Sequence, residues 1–470
     1  MIELPLAVQS ALAADTRQIT PLVEMYINGE DESPILLGPE ELISLDLYAE
    51  AATSVDKPIG NLASQMLSLC LENSSSIFTL TNEESPYYGK MLPEIKLVVY
   101  FEVALSEGVS YPIPMGTFYV DTWAADANAL CATIEAYDRL YLLNKKEVPN
   151  ISVMPHITTK KLIKQVLIAA GVPEGEILID DTLSDTLPWG YLPNDTMGNV
   201  LACICESCGV LITVNRNNQI VVKRQLGLTT CDVVLDDDSQ IISFANVPAN
   251  NNLYARVNMH YNLASMTTEG EVVLQLDDIL LSPGVTELKG LRVDSGPMIY
   301  ITAIEVLGGQ AVVLEDYDLG AFAIDVTLNN RTSAYAKVTL KVYAVVLSTT
   351  QSTISKTNDV LLDRMPDREL SVNCEMIKEL PHLHEYMDFL LNLGANPAPL
   401  VEFSLRGNPA IELTDIISVQ VTSANYTGNI IPLKIEYTCQ DGLSCKIMGV
   451  DASTREVQSY YYVGFGMITK

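Results

Sequence analysis

Cations are scarce in this chain. Its 470 residues hold 28 Lys and Arg against 59 Asp and Glu, a formal net charge of −31. Phosphate backbones are held by clustered cations that displace condensed counterions, so stable nucleic-acid binding is excluded as a function class. Histidine is scarcer, with four residues. No P-loop, G-x-G-x-x-G, H-E-x-x-H or G-x-S-x-G occurs, which leaves little for nucleotide chemistry or hydrolysis. No run approaches 18 consecutive apolar residues, so no transmembrane helix and no membrane insertion are expected. The opening MIELPLAVQSALAAD has no basic n-region and carries Glu3, a poor signal peptide. The nine cysteines are odd in number and scattered, unlike the even framework of a small secreted domain. They read as free thiols of a chain assembled in a reducing cytoplasm.

What is present is apolar and acidic. Hydrophobic residues make up 48% and charged residues only 19%, a lean polar surface that implies cover by neighbours. Residues 1–88 hold 14 acids against Arg17 and Lys57, either a solvated acidic face or a surface to which a passing polyanion does not adhere.

Strict alternation dominates. Ile95, Leu97, Val99, Phe101, Val103 and Leu105 share one face against Lys96, Val98, Tyr100, Glu102 and Ala104. Phe118 and Val120, then Leu130, Ala132, Ile134 and Ala136, repeat the period on either side of a hairpin loop at 124–128. Residues 1–143 therefore read as a β-rich barrel or sandwich. From 144 to 225 the period changes. A helix capped at Thr158 or Thr159 stacks Leu162, Ile163, Val166, Leu167 and Ala170. A second starts near Asp195 or Thr196, buries Met197, Val200, Leu201 and Ile204, and stops at Gly209. A hairpin, VLITV-NRNN-QIVVK, completes an α+β domain. Residues 226–365 return to β alternation, with Val338, Leu340, Val342 and Ala344 on one face, and the polar STTQSTISKTND (348–359) reads as a linker or loop. Residues 366–470 offer a helix from Pro381 with Leu383, Tyr386, Met387, Leu390 and Leu391 on one face, then short strands of a second small barrel. The fold class is multidomain and mainly β: two small β-barrels, an α+β domain and a further β-rich domain.

Each candidate for chemistry has a plainer reading. In CICESC, Cys203 and Cys205 stand about 200° apart on a helix at 100° per residue, so their thiols diverge where a tetrahedral metal site needs convergence. His382 and His384 diverge by the same geometry. The acidic runs at 236–238 and 277–278 lack the spacing of a Ca²⁺ loop, and Asp180 with Asp181 are adjacent in sequence, which says nothing of a glycosidase cleft. Asp138 and Arg139 sit where a strand leaves the first barrel and read as a structural tie to the next domain. No catalytic, cofactor-binding or metal-ligating residue is assigned, no cofactor is implied, and the chain reads as a non-enzyme.

Several segments nevertheless have a familiar wording and order. IPMGTFYVDTW followed by TIEAYDRLYLL resembles the closing hairpin of the N-terminal barrel in bacteriophage tail hub proteins, the family of baseplate hubs and the structural part of tail-associated lysins. TTKKLIKQVLIAAGV with LPNDTMGNVLACICESCGVLITVNRNNQIVV is similar to the α+β domain that follows there. VEFSLRGNPAIELTDIISV with IIPLKIEYTCQDGLSCKIMGV resembles the C-terminal barrel. Thr414 stands before Asp415 where the family commonly has glycine, and the chain stops at Lys470 where many relatives continue. The resemblance implies a virion tail-tip component: a homotrimer whose two barrels per chain form a pseudo-sixfold ring. Its partners would be distal tail and tail-tube proteins, a tape measure protein, and receptor-binding or fibre proteins. DNA would pass through without stable binding, and any lytic activity would come from another polypeptide. The alternatives are a stand-alone β-rich adhesin or glycan-binding protein and, less favoured, a tail peptidoglycan hydrolase.

Overall fold

The structure, a computed structural model, describes residues 2–463 apart from 52–59, 107, 126–129, 149, 193–194, 225–230, 237–240, 248–253, 294, 310, 364, 375, 377–379, 395–399, 441 and 452–459. Helix α1 (Leu6–Ala13) precedes seven strands: β1 (Ile19–Met25), β2 (Ile35–Leu37), β3 (Leu42–Glu50), β4 (Gln65–Glu72), β5 (Lys96–Ser106), β6 (Val109–Ala124) and β7 (Cys131–Tyr137). In β5 the residues Leu97, Val99, Phe101 and Val103 are fully buried and their neighbours half-buried, the pattern of a strand with one dry face. Ala132, Ile134 and Ala136 follow suit, whereas Leu130 lies outside the strand and is exposed. Most of the expected 124–128 loop lies outside the described residues.

Helix α2 (Arg139–Asn144) leads into the α+β unit of β8 (Met154–Thr158), α3 (Thr159–Ala169), β9 (Ile177–Ile179), β10 (Thr186–Gly190), α4 (Met197–Cys208), β11 (Val210–Val214) and β12 (Ile220–Arg224). The side chains of Thr158 and Thr196 accept from the Lys161 and Asn199 amides, satisfying donors that a helix start leaves open. Gly209 closes α4 at φ 60°, a left-handed cap that favours glycine.

Next come β13 (Val233–Leu235), β14 (Ile241–Val247), β15 (Arg256–Met266), β16 (Glu271–Leu281), β17 (Gly284–Arg292), β18 (Met298–Leu307), β19 (Val312–Leu319), β20 (Ala323–Asn330) and β21 (Ala336–Asn358). The sheets β16-β21-β18 and β17-β20-β19 enclose a core of Ile324, Val326, Leu328, Val338, Leu340 and Val342, forming a sandwich between β15 and the far half of β21. That far half corrects the reading of 348–359 as a linker. It pairs with β15 from Arg256↔Thr357 to Met266↔Leu347 and buries Ile354, Thr357 and Asn358. Its Thr residues suit a strand with one wet face, and the ladder outweighs the polar composition.

The chain closes with α5 (Asp359–Leu362), β22 (Glu369–Cys374), α6 (Leu380–Gly394), β23 (Leu400–Leu405), β24 (Ile417–Val421), β25 (Tyr426–Cys439), β26 (Leu443–Asp451) and β27 (Tyr460–Val463). The expected stripe of α6, from Leu383 to Leu391, is buried.

Strands from the two ends of the chain meet in a single sheet. Its path is β14-β23-β26-β25-β3-β4-β7-β6-β5-β1-β2, with β24 on β25 and β13 on β24. The seam is the antiparallel pair β25·β3, in register from Lys434↔Glu50 to Cys439↔Leu45. One core lies beneath both ends, built on Phe101, Phe118, Leu45, Phe403 and Ile447, with the Phe101 and Tyr437 rings 6.4 Å apart across the seam. Each such side chain contributes roughly 1.5–3 kcal/mol by leaving water. The molecule is mainly β with several sheets, one of them a half-barrel.

One expectation about cysteine fails. Cys70 on β4 and Cys131 on β7 are joined by a disulfide, because the register of these neighbours sets Cys70 opposite Thr133 and Glu72 opposite Cys131. The other seven cysteines are free.

Candidate functional site

The face of the long sheet turned away from its core is continuous across eight strands. Following the register, Ser404, Lys446, Glu436, Tyr48, Met66, Tyr137, Tyr119 and Lys96 form one row from β23 to β5. Because alternate residues share a face, the same side carries Glu24, Glu102, Glu135, Asp46 and Glu402 as well as Glu436, against Lys96, Lys434 and Lys446. The ion pairs Lys446–Glu402 at 2.9 Å and Lys434–Glu436 at 3.9 Å are solvent-screened and contribute little to stability. The face is therefore polar and predominantly acidic; of these acids Glu24 and Asp46 belong to 1–88, while Glu102, Glu135, Glu402 and Glu436 come from later strands.

Among the described residues the sheet ends in edges without a partner strand. Strand β2 pairs only with β1, β14 only with β23, and β13 only with β24. Each edge strand exposes a large apolar side chain: Leu36 at 59%, Ile242 at 65% and Val234 at 69%. Open backbone edges with apolar side chains are templates for pairing with another chain.

Behind the sheet, two residues fasten the α+β unit. Asp138 is buried and caps α2. Its carboxylate accepts from the Ser64 hydroxyl at 2.9 Å, the Gln65 amide at 2.8 Å and the Leu140 amide at 3.0 Å. Burial pushes its carboxyl up to about 6, and the bonds from Gln65 and Ser64 oppose that rise. Arg139 points the other way, to Glu176 at 2.5 Å and the Asn218 carbonyl at 2.7 Å. The pair sits at a strand exit, Asp138 following the last residue of β7, and it ties β4 and α2 through Asp138 to the α+β unit through Arg139.

The NRNN turn contributes what sequence reasoning missed. Arg216 reaches from the β11–β12 turn between the two ends of the long sheet. Its guanidinium donates to the Ile411 carbonyl at 2.7 Å, meets the sulfur of Met115, and lies 5.4 Å from the Tyr437 ring centroid. The Tyr437 hydroxyl lies 2.9 Å from both the Asn408 and the Ile411 carbonyl and donates its one proton between them. A lone arginine in an Asn-rich turn carries no sequence signal of this plug.

The remaining candidates do not converge. Cys205 and Cys208 are buried and Cys203 half-buried, with burial holding the Cys205 thiol well above its ordinary range. His382 and His384 are half-buried on α6, less exposed than their helix positions imply. Asp180 accepts from the Thr182 amide and hydroxyl, and Asp181 pairs with Lys160, so the two do separate structural work. Asp277 accepts from Gln275 and Thr339, while Asp278 pairs with Lys337; Asp237 and Asp238 lie outside the described residues. At the Thr414 departure, Asp415 accepts from the Glu412 amide at 2.8 Å and its own amide donates back to Glu412 at 3.1 Å. Thr414 keeps a negative φ, so this turn needs no glycine.

No family model matches the sequence, and no curated protein matches it. Among solved structures, the chain is similar to the 43 kDa tail protein of prophage MuSo2 from Shewanella oneidensis, at 10% identity and a TM-score of 0.48 over 92% of this chain and 98% of that one. It is also similar to the tail protein from Neisseria meningitidis MC58, at 9% identity and a TM-score of 0.49 over 92% and 96%. A third is prophage tail protein gp18 from Listeria monocytogenes EGD-e, at 12% identity and a TM-score of 0.43 over 94% and 95%.

Proposed function

We propose that the chain is a non-enzymatic tail-tip or baseplate hub protein of a phage-like particle. Three copies close a ring around a passage for the tape measure protein and DNA. The single observation that carries this reading is the open-edged sheet, which runs through both ends of the chain and presents one continuous acidic face. A half-barrel with apolar side chains on free edges buries them by joining edge to edge with further copies, and a rotation that closes avoids a filament. Of the segments that resemble hub proteins, the N-terminal and C-terminal ones contribute to this sheet: 113–123 lies in β6, 133–137 in β7, 401–405 in β23, 430–439 in β25 and 443–450 in β26. An acidic wall suits a conduit, since a polyanion finds no cations to exchange for its counterions. Whether the acidic face is the inner one is part of the same proposal.

The test is mass and shape. A chain of 51.5 kDa should sediment at three times that mass and show a central opening by negative-stain microscopy. Leu36→Lys or Ile242→Lys, at opposite ends of the sheet, should each return it to one copy. A monomer at every concentration, unchanged by either substitution, refutes the ring. The adhesin reading draws on Tyr300, Tyr317 and Tyr335, exposed on the β-sandwich at 52%, 46% and 70%; saturable glycan binding lost in Tyr335→Ala would favour it.

A further inference from the structure

The turn that leads into edge strand β2 carries a reactive sequence. Asn28-Gly29 is the one Asn-Gly step in the chain, and it lies between β1 and β2 with both residues exposed. The carbonyl carbon of an asparagine side chain, Cγ, can close a five-membered ring with the amide nitrogen of the next residue. A side chain on that residue hinders the closure, and glycine has none. Here Gly29 holds φ 106°, with open space where a Cβ would stand. Its amide donates to the Tyr26 carbonyl at 3.2 Å, the long limit of such bonds, so the nitrogen is weakly held.

Lys90 supplies a second, independent feature. From the β4–β5 loop its ammonium donates to Asn28 Oδ1 at 2.9 Å. Negative charge gathers on that oxygen when a nucleophile adds to Cγ, and a cation already in place stabilises the charge as it forms. Asn73, before the small residue Ser74, is the contrast. It is buried, its side chain donates to the Thr79 hydroxyl at 3.0 Å, and it accepts from the Phe78 amide at 2.9 Å.

We infer that Asn28 is a self-modification site, where the chain cyclises with loss of ammonia and Lys90 promotes the step. The Gly29 nitrogen gives its proton to water and bonds to Asn28 Cγ. The Cγ–Nδ2 bond breaks, and Nδ2 takes a proton from water and leaves as ammonia. A second water then opens the succinimide. Attack at Cγ gives aspartate; attack at the α-carbonyl gives isoaspartate, whose main chain runs through Cβ and Cγ and is one carbon longer. Water is the sole co-reactant. Either product adds a carboxylate to a turn that already holds Glu30, Asp31 and Glu32. Isoaspartate also lengthens the connection that sets the three pairs from Val23↔Leu37 to Met25↔Ile35, and so loosens β2. The chemistry needs one copy alone and does not depend on the ring.

The test is to hold the full chain in mildly alkaline buffer for several weeks and digest samples with a protease that cuts after glutamate. This releases residues 25–30, MYINGE, in which Asn28 is the one asparagine. A progressive mass gain of an amide becoming an acid is expected in this peptide, part of it isoaspartate by electron-transfer fragmentation, while Asn73 stays unchanged. Lys90→Met, at an exposed position, should slow the gain about three- to fivefold and leave the circular dichroism melt as it was. Asn28→Gln, which would have to close a six-membered ring, should remove it. Amide exchange of β2 should quicken in the aged native chain and not in aged Asn28→Gln. A constant mass in residues 25–30, or a rate unchanged in Lys90→Met, would overturn the assignment; equal exchange of β2 in fresh and aged chain would overturn its effect on the edge strand.

Discussion

Asp138→Asn gives the sharpest test of the junction. In the native chain the carboxyl is buried, with its pKa raised from 3.8 to about 6. The folded state therefore holds a proton more tightly than the unfolded chain does. The sign follows: this group's contribution to stability is fully present below pH 3.8, declines as pH rises through about 6, and is level above. A rise of about two pKa units corresponds to roughly 3 kcal/mol between pH 4 and pH 7, with no discount for solvent screening at a buried group. The amides of Gln65 and Leu140 donate to this carboxylate, so neither exchanges with solvent until the contact opens. Hydrogen exchange of the two peptides containing them, corrected for intrinsic rates, reads that opening directly. Asparagine keeps the shape and cannot titrate. Protection at these amides should fall on the order of a hundredfold from pH 4 to pH 7 in the native chain relative to Asp138→Asn. A ratio that stays flat across that range refutes the account of a buried, proton-binding cap.

Further substitutions probe the packing. Arg216→Ala deletes the donor to Ile411 and the cation beside Tyr437; a loss of about 2–3 kcal/mol is expected in urea unfolding, with Arg216→Lys restoring only part because the planar fork is lost. Tyr437→Phe leaves the Asn408 and Ile411 carbonyls without that hydroxyl and should cost about 1 kcal/mol in the same assay. Gly449→Ala places a methyl 2.6 Å from the Ile431 carbonyl and closer still to the Ile430 side chain, so a melting shift equivalent to about 1–3 kcal/mol is expected. Gly175→Ala, where nothing stands within 4 Å, should leave the melt unchanged.

Where local signals suffice, the chain is legible from its residues. Thr158, Thr196 and Gly209 mark helix ends that the structure reproduces, and the alternation from Leu97 to Val103 names its buried face. The helix α6 stripe works for the same reason, since five apolar residues at helical spacing leave one solution. What escapes depends on distant partners. Nothing in LDLYA or KIEYTC announces that Tyr48 faces Glu436, because each strand alternates equally well against any neighbour. The disulfide between Cys70 and Cys131 follows from the order of strands rather than from spacing. Residues 348–358 mislead because serine and threonine are written alike in loops and in strands with a wet face; only β15 beside them decides. Composition locates the acids of 1–88, of which Glu24 and Asp46 lie on the acidic face, but not Glu102, Glu135, Glu402 and Glu436 on the same side.

The β25·β3 seam also sets a clock. Leu45 finds its partner Cys439 only after 394 further residues have been made, roughly 20–80 s at ordinary rates of synthesis. Throughout that interval β3 has β4 on one side and nothing on the other, a backbone edge open to any passing strand. The ribosome thus delivers a half-finished surface and completes it last, so whatever shields β3 while it waits governs how much of the newborn chain escapes aggregation.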